Sequence, residues 1–195
     1  MTYSVYLSAL GRPNTAIEEL KRALELDPLS LIINTNLARA YHFAGEDDKA
    51  VEQCGKALAL DPSFEAAHTW LAVAYWGKGM YGESVQENQA SLVRSGKAEL
   101  ADELGHVFAV RGHRGVQEWE LQTTLKHWQK AEAEASDVAM AYAALSKNDE
   151  AFEWLEKART ARDAPIALVK AMRSYDSLRS DPRYPEFLHR MKLPQ

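Results

Sequence analysis

The sequence has a single cysteine among 195 residues. That excludes an internal disulfide framework and any metal site built on paired cysteines. No apolar run approaches the ~18 residues of a membrane span. The start, Met1-Thr2-Tyr3-Ser4-Val5, has neither the basic region nor the apolar core of a secretory signal. A reducing, cytoplasmic setting is expected. Catalytic motifs are missing as well. There is no HExxH, no GxSxG, no phosphate-binding GxxxxGK[ST] and no dinucleotide-binding GxGxxG. His42, His68, His106, His113, His127 and His189 form no helical i, i+4 pair, so no metal is expected. Cys54 falls where a small apolar side chain packs. No cofactor and no enzymatic activity are expected; the weak exception is a site around His106 and His113 with their acidic neighbours. The net charge is only −5, and this mild acidity speaks against a nucleic-acid partner.

What is present is repetition. AIEELKRALELDP (16–28), AVEQCGKALALDP (50–62) and AFEWLEKARTARD (151–163) are similar to one another. Turn residues Gly11, Gly45, Gly79, Gly112 and Ser146 follow at spacings of 34, 34, 33 and 34. Four residues before each stands Leu7, Tyr41, Tyr75, Phe108 or Tyr142. Leu37, Ala38 and Tyr41 share one helical face, as do Leu71, Ala72 and Tyr75. The glycines sit where a helix ends with positive φ. Ala50 and Ala57 give the second helix of that unit a small-residue face. Asp27-Pro28 and Asp61-Pro62 close their units, because proline breaks a helix and disfavours it for the residue before. No segment alternates as a strand does. The expectation is an all-α chain of helix–turn–helix units.

Leu37, Ala38, Tyr41, Ala50, Ala57 and Pro62, followed by Leu71, Ala72, Tyr75 and Gly79, resemble the tetratricopeptide repeat. The resemblance implies a right-handed superhelical solenoid with C-terminal capping helices. Its expected divisions are a truncated first repeat (1–30), repeats at 31–64 and 65–97, an irregular repeat at 98–131, a repeat at 132–163, and a cap at 164–195. The first repeat has only about ten residues before Gly11, leaving Val5 and Leu7 partly uncovered. Either the chain is a piece of a longer protein, or that end self-associates. In the cap, Pro165 is expected to open a short amphipathic helix over 166–172. Asp181-Pro182 is expected to start the last one, with Asp181 as N-cap and Pro182 first in the helix.

The stretch from Tyr142 through Trp154 to Arg183 is similar to the C-terminal ends of bacterial signalling proteins, in which repeats follow a kinase, cyclase or winged-helix domain. None of those domains is present in this sequence. Charge divides along the chain too: residues 157–195 carry nine Lys/Arg against four Asp/Glu, whereas 1–156 are net acidic. A basic cap docked on the acidic array explains this, and so does a surface for an acidic partner.

The resemblance implies a concave groove lined by the first helix of each unit. Its positions are Asn36, Arg39, His42 and Phe43; Trp70, Val73 and Trp76; Glu99, Asp102, Glu103 and His106; and Met140. Aromatic and Arg side chains dominate interface hot spots. A scaffold binding a peptide or helix of a protein partner follows. Trp70 and Trp76 equally suit packing between neighbouring units. The alternative function is a regulatory or dimerising domain of a larger signalling protein.

Overall fold

A computed structural model describes residues 3–192. They form ten α-helices and two short 3-10 turns, with no strand among the described residues. In chain order the helices are α1 (Tyr3–Ala9), α2 (Pro13–Leu26), α3 (Leu31–Phe43), α4 (Asp47–Leu60), α5 (Glu65–Gly77), α6 (Tyr81–Arg94), α7 (Ala98–Gln129), α8 (Ala135–Ala144), α9 (Asn148–Ala161) and α10 (Arg183–Arg190). The 3-10 turns, Ala164–Leu168 and Arg173–Leu178, lie between α9 and α10. The chain divides into two compact units: residues 3–8 with 12–110, and residues 9–11 with 111–192.

The turns explain the repeat spacing. Gly45 and Gly79 take φ of 77° and 76°. In that conformation the next N–H reaches back to an orphan carbonyl of the helix: Glu46 N–H donates to Tyr41 O and Met80 N–H to Tyr75 O, both at 2.9 Å. The recurring spacing of four residues between the aromatic position and the turn residue thus lets the N–H after the turn reach back to the aromatic residue's carbonyl. Ser146 turns the same way at φ 57°, as do Ala131 at 58° and Arg162 at 61°.

In the first unit, helices pack in sequence order. Leu7, Ile17, Leu20, Leu37, Tyr41 and Ala74 form one buried cluster; Ala38, Cys54 and Leu71 form another, against which Trp70 and Tyr75 pack. The truncated α1 is covered, contrary to the sequence expectation. Leu7 is 1% exposed within the first cluster and Val5 is 7% exposed. The residues that α1 leaves open are Tyr3 and Tyr6, on its other face. Burying a leucine contributes about 1.5–3 kcal/mol, which is what keeps a seven-residue helix in place.

Polar groups tie the same helices. Gln53 of α4 donates to Asn34 of α3, and Asn34 Nδ2 donates to the carbonyls of Ser30 and Pro28 at 2.8 and 3.3 Å. Gln89 of α6 donates to Ala101 O of α7 at 2.9 Å.

In the second unit, α8 and α9 hold a core with Tyr175, Leu178, Tyr184, Phe187 and Leu188 of the C-terminal segment. Tyr175 Oη donates to Ser136 O at 3.1 Å, and Ser177 Oγ to Ala143 O at 2.9 Å. Arg183 pairs with Asp149 at 2.8 Å and Arg190 with Glu156 at 2.6 Å. These basic side chains are thus spent on α9. The segment differs from the expectation in two details. Residues after Pro165 form 3-10 turns rather than an α-helix, because the chain must bend repeatedly to lay Ile166, Val169, Tyr175 and Leu178 on one core. Pro182 caps α10 instead of opening it, and the Asp181 carboxylate accepts from Arg183 N–H at 3.0 Å.

α7 is interrupted at Gly112, with φ 63° and ψ −162°. Two helices therefore meet there, at the position where the repeat spacing predicts a turn.

Candidate functional site

Asn36, Arg39 and Phe43 recur at intervals of three and four residues on α3, so they share a face. On the adjacent α5 stands Trp70. The Arg39 guanidinium lies over the Trp70 ring, 5.5 Å from its centroid. Phe43 meets the same ring edge-on, at 5.7 Å and 87°. Asn36 Oδ1 accepts from Arg39 at 2.7 Å, fixing the guanidinium plane. Burial pushes the Arg39 guanidinium below its ordinary pKa, though an arginine retains its charge. Asn36, Arg39, Phe43 and Trp70 are all half-buried. A cation on an indole face contributes about 0.5–2 kcal/mol, so the cluster is preorganised.

His42 lies beside this cluster but points inward. It is 7% exposed, and its Nδ1 stands 2.6 Å from the Asp47 carboxylate. Its ring is tilted against Phe43 and Trp70, with centroids 6.0 and 6.2 Å away. Trp70 also packs on the buried Ala38, Cys54 and Leu71. Further along α5, Val73 is half-buried, and Trp76 meets Tyr81 of α6 edge-on at 4.8 Å. On α7, Glu99, Asp102, Glu103 and His106 are all exposed. Met140 is half-buried on α8 of the second unit and packs against its core.

The structure thus brings together Asn36, Arg39, His42, Phe43 and Trp70. It places the four α7 residues on an exposed face of the first unit. Sequence reasoning missed Ile32, 65% exposed at the head of the α3 stripe, and Val110 of α7, 67% exposed, which aligns with Phe43 at the other end of that stripe. The stripe 32, 36, 39, 43 carried that signal. It also missed the Trp128–Trp154 pair of the second unit, edge-on at 5.0 Å, with Lys157 3.7 Å over Trp154.

Chemistry of other kinds finds little here. Among the described residues, no group of three or more His, Cys, Asp and Glu side chains is placed to hold a metal. No helix among them is long and apolar enough to cross a membrane. Burial pushes the Cys54 thiol up to about 12, and the nearby Glu87 charge adds to the effect.

Residues 7–54 match the family described as "Tetratricopeptide repeat", and residues 38–79 match "TPR repeat". The likeness is to tetratricopeptide repeats. The whole Arg39–Trp70 cluster falls inside the matched stretch. A solved structure described as "Crystal structure of MamA" resembles the chain at a TM-score of 0.50 and 21% identity, covering 84% of this chain and 96% of that one. That is a likeness of fold. No curated protein matches the sequence. The all-α tetratricopeptide-like architecture, with consecutive helix pairs and a capping segment, is consistent with protein–protein interaction scaffolding in general.

Proposed function

We propose that the chain is a non-enzymatic scaffold that binds a peptide or helix of a protein partner across the first helices of its repeats. The carrying observation is the Arg39–Trp70–Phe43 cluster. It offers a guanidinium and two aromatic rings, each half-buried, on neighbouring first helices. Half-buried aromatic and Arg side chains are the residues that interfaces use as anchors. Asn36, Val73 and Trp76 extend this surface, and Glu99, Asp102, Glu103 and His106 give it an acidic end. The scaffold would work in a reducing, cytoplasmic setting, where its one thiol stays free.

Capture of partners from a lysate by the full chain, followed by titration of the purified partner, tests this. Trp70→Ala and Arg39→Ala should each weaken binding at least tenfold while circular dichroism stays unchanged. Unchanged affinity in both removes the assignment.

A second reading is a regulatory or dimerising domain of a larger signalling protein. Tyr3 at 64% and Tyr6 at 52% exposure favour it, since they form one open apolar face on α1. The resemblance of the C-terminal end to signalling proteins supports the same reading. Sedimentation velocity of the chain and of its Tyr3→Ser/Tyr6→Ser variant tests it. A monomer at every concentration counts against dimerisation through this face.

A further inference from the structure

Stacked repeats bring equivalent positions side by side, so the exposed face of the first unit reads as columns. Counting back from Gly45, Gly79 and Gly112, Asn36 aligns with Trp70 and Glu103, and Arg39 aligns with Val73 and His106. That α3 and α5 lie side by side is seen in the Arg39 and Phe43 contacts with Trp70, which place the indole against positions 39 and 43 of α3. The step to α7 is carried by the repeat register, and Gln89 of α6 donates to Ala101 O near the start of α7, which packs α7 on α6. Across the three helices the face changes character in order. α3 presents Arg39, α5 presents Trp70 and Val73, and α7 presents the exposed Glu99, Asp102 and Glu103.

A ligand lying across these helices meets a cation, then an apolar surface, then carboxylates. Neighbouring helix axes stand about 8–10 Å apart, and an extended chain advances about 3.3 Å per residue. One helix therefore corresponds to about three ligand residues. We infer that the occupant is an extended segment of a protein partner with an acidic residue at Arg39, an apolar side chain on Trp70 and a basic residue at Glu103, in that order along the groove. This rests on the proposed reading of the groove and adds the chemistry and order of its ligand. Charge complementarity of this kind selects partners by rejecting like charges.

The test uses the full chain and three fluorescently labelled seven-residue peptides. Each has leucine at its centre, with Asp and Lys, Asp and Asp, or Lys and Lys at its ends. The mixed peptide should bind about tenfold more tightly than either uniform one, the size of effect expected of one mispaired interface charge. Glu103→Lys should transfer the preference to the Asp/Asp peptide, and Arg39→Glu to the Lys/Lys peptide. Glu103 is exposed, so its reversal reads the acidic end even where Arg39→Glu disturbs packing. Binding that depends on Trp70 but ignores both peptide charge and the reversals overturns the polarity and leaves the groove standing. If the binding of no peptide depends on Trp70, groove and polarity fall together.

Discussion

His42 and Asp47 close the α3–α4 hairpin from within: the imidazole Nδ1 stands 2.6 Å from the carboxylate, and each side chain is more than nine-tenths buried. Asp47 is the first residue of α4, where a negative charge complements the helix dipole. On the opposite side, the same carboxylate fills the space that a side chain on Gly77 of α5 would need. One hydrogen-bonded pair therefore sets how closely the second hairpin approaches the first.

Removing either side of this arrangement should be costly, and removing both should not cost twice. Asp47→Ala leaves a buried imidazole without this acceptor and should lower stability by about 1–3 kcal/mol. Gly77→Ala should destabilise too, because its new methyl meets the carboxylate. In the double variant that collision is gone. A double-mutant cycle by urea denaturation should show a combined loss clearly smaller than the sum; strict additivity would mean that the two positions do not share the space.

Two glycines should respond with opposite signs. Gly55 lies in the interior of α4, exposed, with open space where its Cβ would be. Gly55→Ala should stabilise by about 0.5–1 kcal/mol. Gly112 sits in a region of backbone space that essentially only glycine occupies, so Gly112→Ala should destabilise by about 1–3 kcal/mol. Urea midpoints of the two variants, moving in opposite directions from the parent, are the measurement.

Cys54 should be inert while the chain is folded. Its thiol is fully buried and titrates near 12, so the reactive thiolate is scarce at pH 8. Iodoacetamide should label it only as fast as the structure opens, and at the rate of a free thiol in denaturant. Rapid labelling of the native chain, followed by mass spectrometry, would contradict the burial.

Acid should weaken the C-terminal segment through Asp181. Hydrogen bonds from the Arg183 side chain and N–H hold its carboxyl down to about 2, against about 3.9 in an unfolded chain. A carboxylate with a depressed pKa stabilises the fold above its unfolded value. That contribution is lost as pH falls from about 4 to about 2. Asp181→Asn should therefore be less stable than the parent at pH 6, and the difference should vanish near pH 2. Thermal melts across that range decide it.

The helix pairs were legible because a left-handed turn residue and the carbonyl that the following N–H satisfies recur at fixed distance in the sequence. Gly45 with Tyr41 and Ser146 with Tyr142 follow from that rule alone. The burial of Leu7 was not legible, since it is anchored by residues from α2 and α3 that a local pattern cannot reveal. His42 illustrates the limit at the site. Its register puts it with Arg39 and Phe43, but Asp47, across the turn, draws its ring inward. The C-terminal bends escaped for a similar reason: the 3-10 turns are set by where Tyr175 and Phe187 must land, rather than by local propensity.

The left-handed turns also predict where the chain comes apart. At residues 45, 79 and 96 they are glycine, whereas at 131, 146 and 162 they are alanine, serine and arginine. A side chain in that conformation is strained by about 1–2 kcal/mol. The strained turns flank α8 and α9, so partial unfolding should begin at these hinges, exposing α8 and α9 as separate cooperative segments before the glycine-turned hairpins lose their amide protection.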